Sequence, residues 1–238
     1  MVMQKYIDAH CHIGCGATDN SVTAFFCNSV TESQWIDILK IFECNTAVFP
    51  CLGLHPWNMN DIKAGWDMRL MRVLSQYTHC MVGEIGLDKL HPNYDVQIDV
   101  FTRCLDIAAK MHRAVHIHCV RAWGDMLEIL TRLSNLPPVL VFHAFSASPE
   151  IMQRLLKLKS RVYFSYSASV CDARRHNLAN TVRCTPMDNI LIESDGAMAE
   201  SGDVLRHVAL RIATIKNMPI ESLLDTIYNN AQRVIQNG

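Results

Sequence analysis

His10 and His12 lie within the run Asp8-Ala9-His10-Cys11-His12. The run follows Tyr6-Ile7, an apolar pair after Lys5, and reads as the end of a first β-strand. On a strand, residues i and i+2 share a face and sit roughly 6.5 Å apart. Two imidazoles at that spacing can converge on one metal ion. Asp8, expected on the same face one step below, is placed to orient a ligand from behind it. Two ordinary histidines on a half-buried strand would show the same pattern, so the motif needs partners from elsewhere.

Partners occur where other strands are expected to end: His55, Glu84, His116 and His118, His143, and Glu193 with Asp195. Each alone has a bland explanation, such as a satisfied core histidine or a helix cap. Their recurrence does not, because strands of a parallel sheet are otherwise near-continuous apolar runs. Imidazole and carboxylate together suit zinc, manganese and similar divalent ions.

The elements that must carry these residues alternate. Strands are expected near residues 22–27, 46–54, 81–86, 114–118, 139–143, 162–166 and 190–195 after the first. Helical periodicity separates them, most clearly over Tyr94 to Met111, and two helices, near 204–215 and 220–235, follow the last strand. Eight strands alternating with helices predict an α/β fold, a (β/α)8 TIM-type barrel, whose strand C-termini share one face. No G-x-G-x-x-G fingerprint supports a doubly wound open sheet instead. Only nine residues separate His12 from Val22, so the first helix is expected to be missing or vestigial.

Length and composition set the remaining bounds. The 238 residues show no linker or low-complexity seam, which predicts one domain over 1–238. A net charge of −1 gives no global basic field, though a local rim of Arg and Lys can still hold a polyanion. Ten cysteines, without a C-x-x-C pair, lie largely in apolar runs where free cysteine acts as a small hydrophobe. With no secretory start and no long apolar run, a reduced cytoplasmic protein without a membrane span is expected. Oligomeric state has no signature here. The loops expected on the catalytic face carry Lys63, Lys89, His91, Arg121, Arg174 and Arg175, interspersed with Asp61, Asp88 and Asp172.

Four blocks, Asp8 to His12, Gly83-Glu84-Ile85-Gly86-Leu87-Asp88, His143-Ala144-Phe145-Ser146 and Glu193-Ser194-Asp195, resemble the signatures of the TatD family. Gly53-Leu54-His55-Pro56 and Asn230-Ala231-Gln232-Arg233 extend the likeness over nearly the whole chain. The family comprises metal-dependent deoxyribonucleases of the amidohydrolase superfamily. The resemblance implies one or two divalent ions (Mg, Mn or Zn) held by His10, His12, Glu84, His118, His143 and Asp195. Glu84 would bridge them and Asp195 would also be the general base. His55 is expected near the substrate and Asp8, His116 and Glu193 behind the ligands, and from the loop reading Arg121, Arg174 and Arg175 are expected to contact the substrate from the rim. Where the family usually reads His-x-Arg-x-Ala, this chain reads His118-Cys119-Val120-Arg121-Ala122, with the arginine displaced by one position. The implied substrate is single-stranded DNA or an oligonucleotide. Two alternatives remain open: ester or amide hydrolysis, such as aminoacyl-tRNA deacylation, and a non-catalytic barrel kept as an interaction module.

Overall fold

The chain's strands form at its Val-, Ile- and Phe-rich runs, and the intervening segments present apolar residues at helical spacing. The structure, a computed structural model, describes residues 6–14, 20–196, 198 and 201–237. Eight strands run in chain order: β1 Tyr6–Cys11, β2 Val22–Asn28, β3 Val48–Cys51, β4 Val82–Asp88, β5 Val115–Val120, β6 Val139–Phe142, β7 Arg161–Tyr166 and β8 Ile190–Ile192. The helices are α1 Gln34–Cys44, α2 Trp66–Gln76, α3 Tyr94–Met111, α4 Trp123–Arg132, α5 Pro149–Leu155, α6 His176–Cys184, α7 Ser201–Lys216 and α8 Ile220–Asn237. Helix α3 shows the logic. Val100, Phe101, Cys104, Leu105 and Ala108 are buried at three- and four-residue spacing, and His112 ends the helix in a left-handed conformation at φ 53°.

All strand pairs are parallel, in two ladders ordered β1-β2-β3 and β4-β5-β6-β7-β8. At one seam Leu52 donates to the Met81 carbonyl (3.0 Å) and Gly83 to that of Leu52 (3.1 Å). At the other, Asp195 donates to the His10 carbonyl (3.0 Å) and His12 to that of Gly196 (2.9 Å). The expected TIM-type arrangement holds. The expected helix-free link between β1 and β2 falls mainly on residues 15–19, which lie outside the described residues.

An outer core joins the strands to the helices, and an inner core fills the barrel. Ala231 and Val234 of α8 pack with Ile7, Val139 and Leu191, near the starts of β1 and β6 and within β8. Asn230 adds hydrogen bonds to the carbonyls of Met187 (2.8 Å) and Ile190 (2.9 Å). Helix α8 therefore packs at the strand N-termini, and the opposite end is left for chemistry.

Strand β1 departs from the expected regularity. Asp8 aligns with Phe25 and Cys11 with Cys27, so β1 uses one residue more than β2 between these pairs. That is a β-bulge, and it breaks the alternation. Ile7 and Ala9 belong to the inner core and Tyr6 and Cys11 to the outer, which carries Asp8 to the side of Tyr6. The expectation that Asp8 shares a face with His10 and His12 is corrected.

Close packing at β4 tests the arrangement. A Cβ added to Gly86 would lie 1.9 Å from the carbonyl oxygen of His118, where no side chain fits. Gly86→Ala is expected to cost on the order of 4 kcal/mol or more, among the largest single-substitution effects. Urea unfolding of the chelated protein measures it; a loss below about 1 kcal/mol would contradict the β4–β5 packing.

Candidate metal centre

Glu84 is the hub. It projects from β4, is 2 % exposed, and its two carboxylate oxygens face different partners. Oε2 meets His10 Nε2 at 3.2 Å and His12 Nε2 at 3.7 Å. Oε1 meets His143 Nε2 at 2.7 Å, His118 Nδ1 at 3.0 Å and His55 Nε2 at 3.2 Å. Asp195 joins the first group, with Oδ1 3.8 Å from His12 Nε2. These side chains, except the more deeply buried His10, line a cavity of ≈ 510 Å³ with Val30, Trp57 and Asn58.

Backbone bonds place the hub. The Ser29 hydroxyl, just past β2, accepts from Gly53 N (2.8 Å), and the Ser29 carbonyl accepts from Glu84 N (3.0 Å). A serine after a strand reads from sequence as an ordinary loop residue, so this pin left no signal. Asp8 accepts from Ser194 through N (2.9 Å) and Oγ (2.6 Å), which fixes the segment bearing Asp195. It acts on that segment and not on an imidazole. Asp195 itself has φ 53°, a strained conformation that Asp tolerates better than most residues.

Hydrogen bonds also select tautomers. His12 Nδ1 lies 3.0 Å from the Asn28 carbonyl, so it carries a proton. Burial pushes the ring down, but Asp195 and Glu84 facing Nε2 raise it above an ordinary imidazole, and ligation through Nε2 would displace the proton held there. His55 is the reverse: its Nδ1 accepts from Trp57 N (3.2 Å), leaving the proton on Nε2 toward Glu84. His55 is therefore poorly suited to ligation through Nε2, although that atom lies within the Glu84–His118 group. Glu193 Oε1 accepts from Ala144 N (2.6 Å) and lies 3.7 Å from His143 Nδ1. His116 is buried beneath His10, with ring centroids 6.3 Å apart, and neither of its nitrogens has a partner.

Charge follows this geometry. Burial opposes ionisation of Glu84, but His143 and His10 beside it hold its carboxyl well below the usual range. Burial also disfavours a charged His143, yet Glu84 and Glu193 raise it well above an ordinary imidazole. Burial pushes His10, His55 and His116 down. It pushes Asp195 up, but the bond to His12 outweighs that and the carboxyl stays below its ordinary value. Without metal, a proton on His143 thus balances Glu84.

The donor set fits a divalent ion. Buried His10 Nε2, which faces Glu84, lacks a hydrogen-bond partner, an arrangement costly for a polar atom unless another ligand satisfies it. Candidate groups include His10 with Glu84 and His143, and His10 with His12 and Asp195.

The arginines behave differently. None of Arg121, Arg174 and Arg175 lines this cavity. Arg121 is exposed just after β5, at φ 52°. Arg174 donates through Nε and Nη2 to Asp172, both at 3.0 Å. With Arg175 it borders a separate opening of ≈ 380 Å³ beside Ser146 and His176. Asp88, read from sequence only as a signature and rim residue, is 2 % exposed and approaches His118 Nε2 at 3.6 Å. It also accepts from Trp57 Nε1 at 2.7 Å. That link joins residues 31 positions apart, and no local pattern announces it.

A TIM-type barrel with an imidazole–carboxylate cluster at its strand C-termini is the arrangement of a metal-dependent hydrolase. The chain belongs to the TatD family: the model described as "TatD related DNase" matches residues 7–236. It is 26 % identical over 269 residues to a metal-dependent hydrolase of Mycoplasma pneumoniae, covering 97 % of this chain and 99 % of that one. It is 25 % identical over 227 residues to the human 3′-5′ RNA nuclease TATDN2. That match covers 88 % of this chain but only 29 % of the human protein. The crystal structure of a TatD homologue from Escherichia coli K12 superposes with a TM-score of 0.88 at 19 % identity, covering 98 % of both chains, which establishes the fold. Among the described residues no helix is long and apolar enough to cross a membrane.

Two predictions follow from the charges. Metal must displace the His143 proton, so binding at neutral pH is expected to release protons and weaken as pH falls. Calorimetric titration in buffers of different ionisation enthalpy measures the release; none at pH 7 would contradict the protonated His143. Burial pushes Asp8 up to about 6 from 3.8, so its neutral form is favoured in the fold. It therefore adds stability at low pH that is lost as pH rises through 6, a span worth about 3 kcal/mol in total. Between pH 5 and 7.5, chelated Asp8→Asn should gain about 1.4 kcal/mol relative to wild type. A difference independent of pH would contradict the raised value.

Proposed function

We propose that the chain is a phosphodiesterase of the TatD type, acting on single-stranded DNA or oligonucleotides in the cytoplasm. The observation that carries this reading is the two-sided Glu84 carboxylate, with His10 and His12 facing Oε2 and His118 and His143 facing Oε1. In this reading divalent metal would be held by Glu84 together with His10, His12 and Asp195 on one side and His118 and His143 on the other. The nuclease activity named for the human relative supports the substrate class.

A bound divalent ion supplies Lewis acidity, lowering the pKa of water from 15.7 toward about 7 and offsetting phosphoryl charge. The chain does the rest. Asp195, ionised and on the cavity wall, accepts the proton of the attacking water at a carboxylate oxygen. His55, neutral on the cavity wall with its Nε2–H on Glu84, would donate to a phosphate oxygen by exchanging that partner. Glu193 and Asp8 hold His143 and the Asp195 segment in place. Arg121, free at the end of β5, contacts a flanking phosphate, whereas Arg174 must first leave Asp172.

The test is a panel of phosphodiester and ester substrates with Mg, Mn and Zn, using wild type and Asp195→Asn. Oligonucleotide cleavage is expected, with kcat reduced on the order of 10²–10⁴-fold in the variant. Ester cleavage without phosphodiester cleavage would overturn the assignment.

A further inference from the structure

Trp57 breaks the pattern of the chain's tryptophans. Trp35 and Trp66 are each 3 % exposed, and Trp123 packs against Phe142 and Phe145. Trp57 is 57 % exposed on the wall of the metal cavity. Leaving an indole in water forgoes much of the stabilisation its burial would give. Yet the ring is firmly held.

Three contacts fix its plane. Nε1 donates to Asp88 Oδ2 at 2.7 Å. The His91 ring lies nearly parallel, 21° away, with centroids 4.7 Å apart. The His55 ring lies perpendicular to it, at 84° with centroids 4.8 Å apart. Asp88 also faces His118 Nε2 at 3.6 Å, so one carboxylate sets the indole's position relative to the ion cluster. Leu90, 60 % exposed, donates its N–H to the same carboxylate at 2.8 Å and extends the apolar rim. A ring restrained before binding loses little entropy when a flat partner settles on it.

We propose that Trp57, backed by His91, is the stacking platform for an unpaired nucleobase next to the scissile phosphate. The proposal rests on the phosphodiesterase reading and adds what that reading lacks, a contact to the base. No arginine lines this cavity, so cationic grip on the backbone is not built into its wall. Every base has a π-face, so a stacking contact accepts any base. It discriminates strongly against two other substrates. A base stacked inside a duplex cannot reach it, and a sugar phosphate offers nothing to stack. The consequence is a preference for single strands and frayed ends that does not depend on sequence.

Two measurements on the metal-loaded enzyme test it. In the first, adenosine 5′-monophosphate is titrated while tryptophan fluorescence is followed, with ribose 5-phosphate as control. Trp57 is the indole open to solvent, so saturable quenching by the nucleotide alone is expected, and Trp57→Ala should abolish it. The absence of saturable quenching, or equal quenching by ribose 5-phosphate, would overturn the platform.

In the second, kinetics are compared for a trinucleotide and its three versions lacking one base. Removing the stacked base should raise wild-type KM on the order of tenfold, with a smaller change in kcat. Trp57→Ala should raise KM similarly for the intact trinucleotide and no longer distinguish it from that abasic version, while Trp57→Phe should keep the distinction. The substrate comparison uses unaltered protein, so a folding defect in a variant cannot imitate the result. Cleavage of all four trinucleotides with one KM would sink the platform and leave the phosphodiesterase standing. If none is cut with any metal, the phosphodiesterase reading fails, and the fluorescence titration alone decides the platform.

Discussion

An ionised carboxylate 2 % exposed inside a barrel is the constraint on which the site depends. Glu84 cannot be carried into an apolar core without compensation, because an unpaired buried charge is strongly destabilising. Here the compensation is a shell of imidazoles, one of which, His143, holds a proton against the pull of its own burial. A divalent ion taking the place of that proton would bring one positive charge more, which the Asp195 carboxylate offsets, and would meet His10 Nε2, which otherwise lacks a hydrogen-bond partner. The cluster is therefore arranged for an exchange of cations, and the chain can fold before the exchange occurs.

Holding such a shell requires that strands from both ladders agree in register. β1 supplies His10 and the position just past it His12, β4 the carboxylate, and β5 and the position just past β6 the opposing imidazoles. The seams are where agreement is hardest, and there the polar pins gather. Ser29 links β2, the segment after β3, and β4 through its hydroxyl and carbonyl. Asp8 and Ser194 close the other seam, where β8 is only three residues long and Asp195 stands beyond its last ladder bond. Asp8 accepts a cost for this position, since burial pushes its carboxyl up to about 6. A neutral residue there would be easier to bury but would grip the Ser194 amide and hydroxyl less firmly.

How much of this was legible follows from the physics of parallel strands. Interior strands are apolar, so histidine or carboxylate at a strand end stands out, and His10, Glu84, His118, His143 and Asp195 could be found without coordinates. Helix α3 was readable to its ends because its apolar stripe is long and regular. The bulge in β1 was not, since period-two reasoning assumes an unbroken ladder and one extra residue inverts the faces beyond it. Asp8 was therefore set on the wrong side. Ser29, and the bond between Asp88 and Trp57, were hidden for a different reason. Their partners are distant in sequence, and neither residue type at its position departs from what a loop or rim would carry. Arg121, Arg174 and Arg175 could be assigned to the rim loops from sequence, but their distance from the cavity could not: none of the three lines its wall.

That absence bears on how a polyanion is received. The cavity wall sets the Glu84 and Asp195 carboxylates against His143 and His12, both held above an ordinary imidazole, and the chain as a whole carries a net charge of −1. Without bound cations these wall charges are paired with one another, and a phosphate entering this space finds no free positive group. In the phosphodiesterase reading, ion loading must come before phosphate binding, so affinity for phosphate depends on metal. Long-range attraction by the protein surface is correspondingly small. Because few fixed Lys or Arg contacts replace counterions along the strand, binding should respond weakly to salt compared with a nuclease that clamps the backbone. Contacts that salt does not screen, ion coordination at the phosphate and flat apolar surface at the base, are left to hold the substrate.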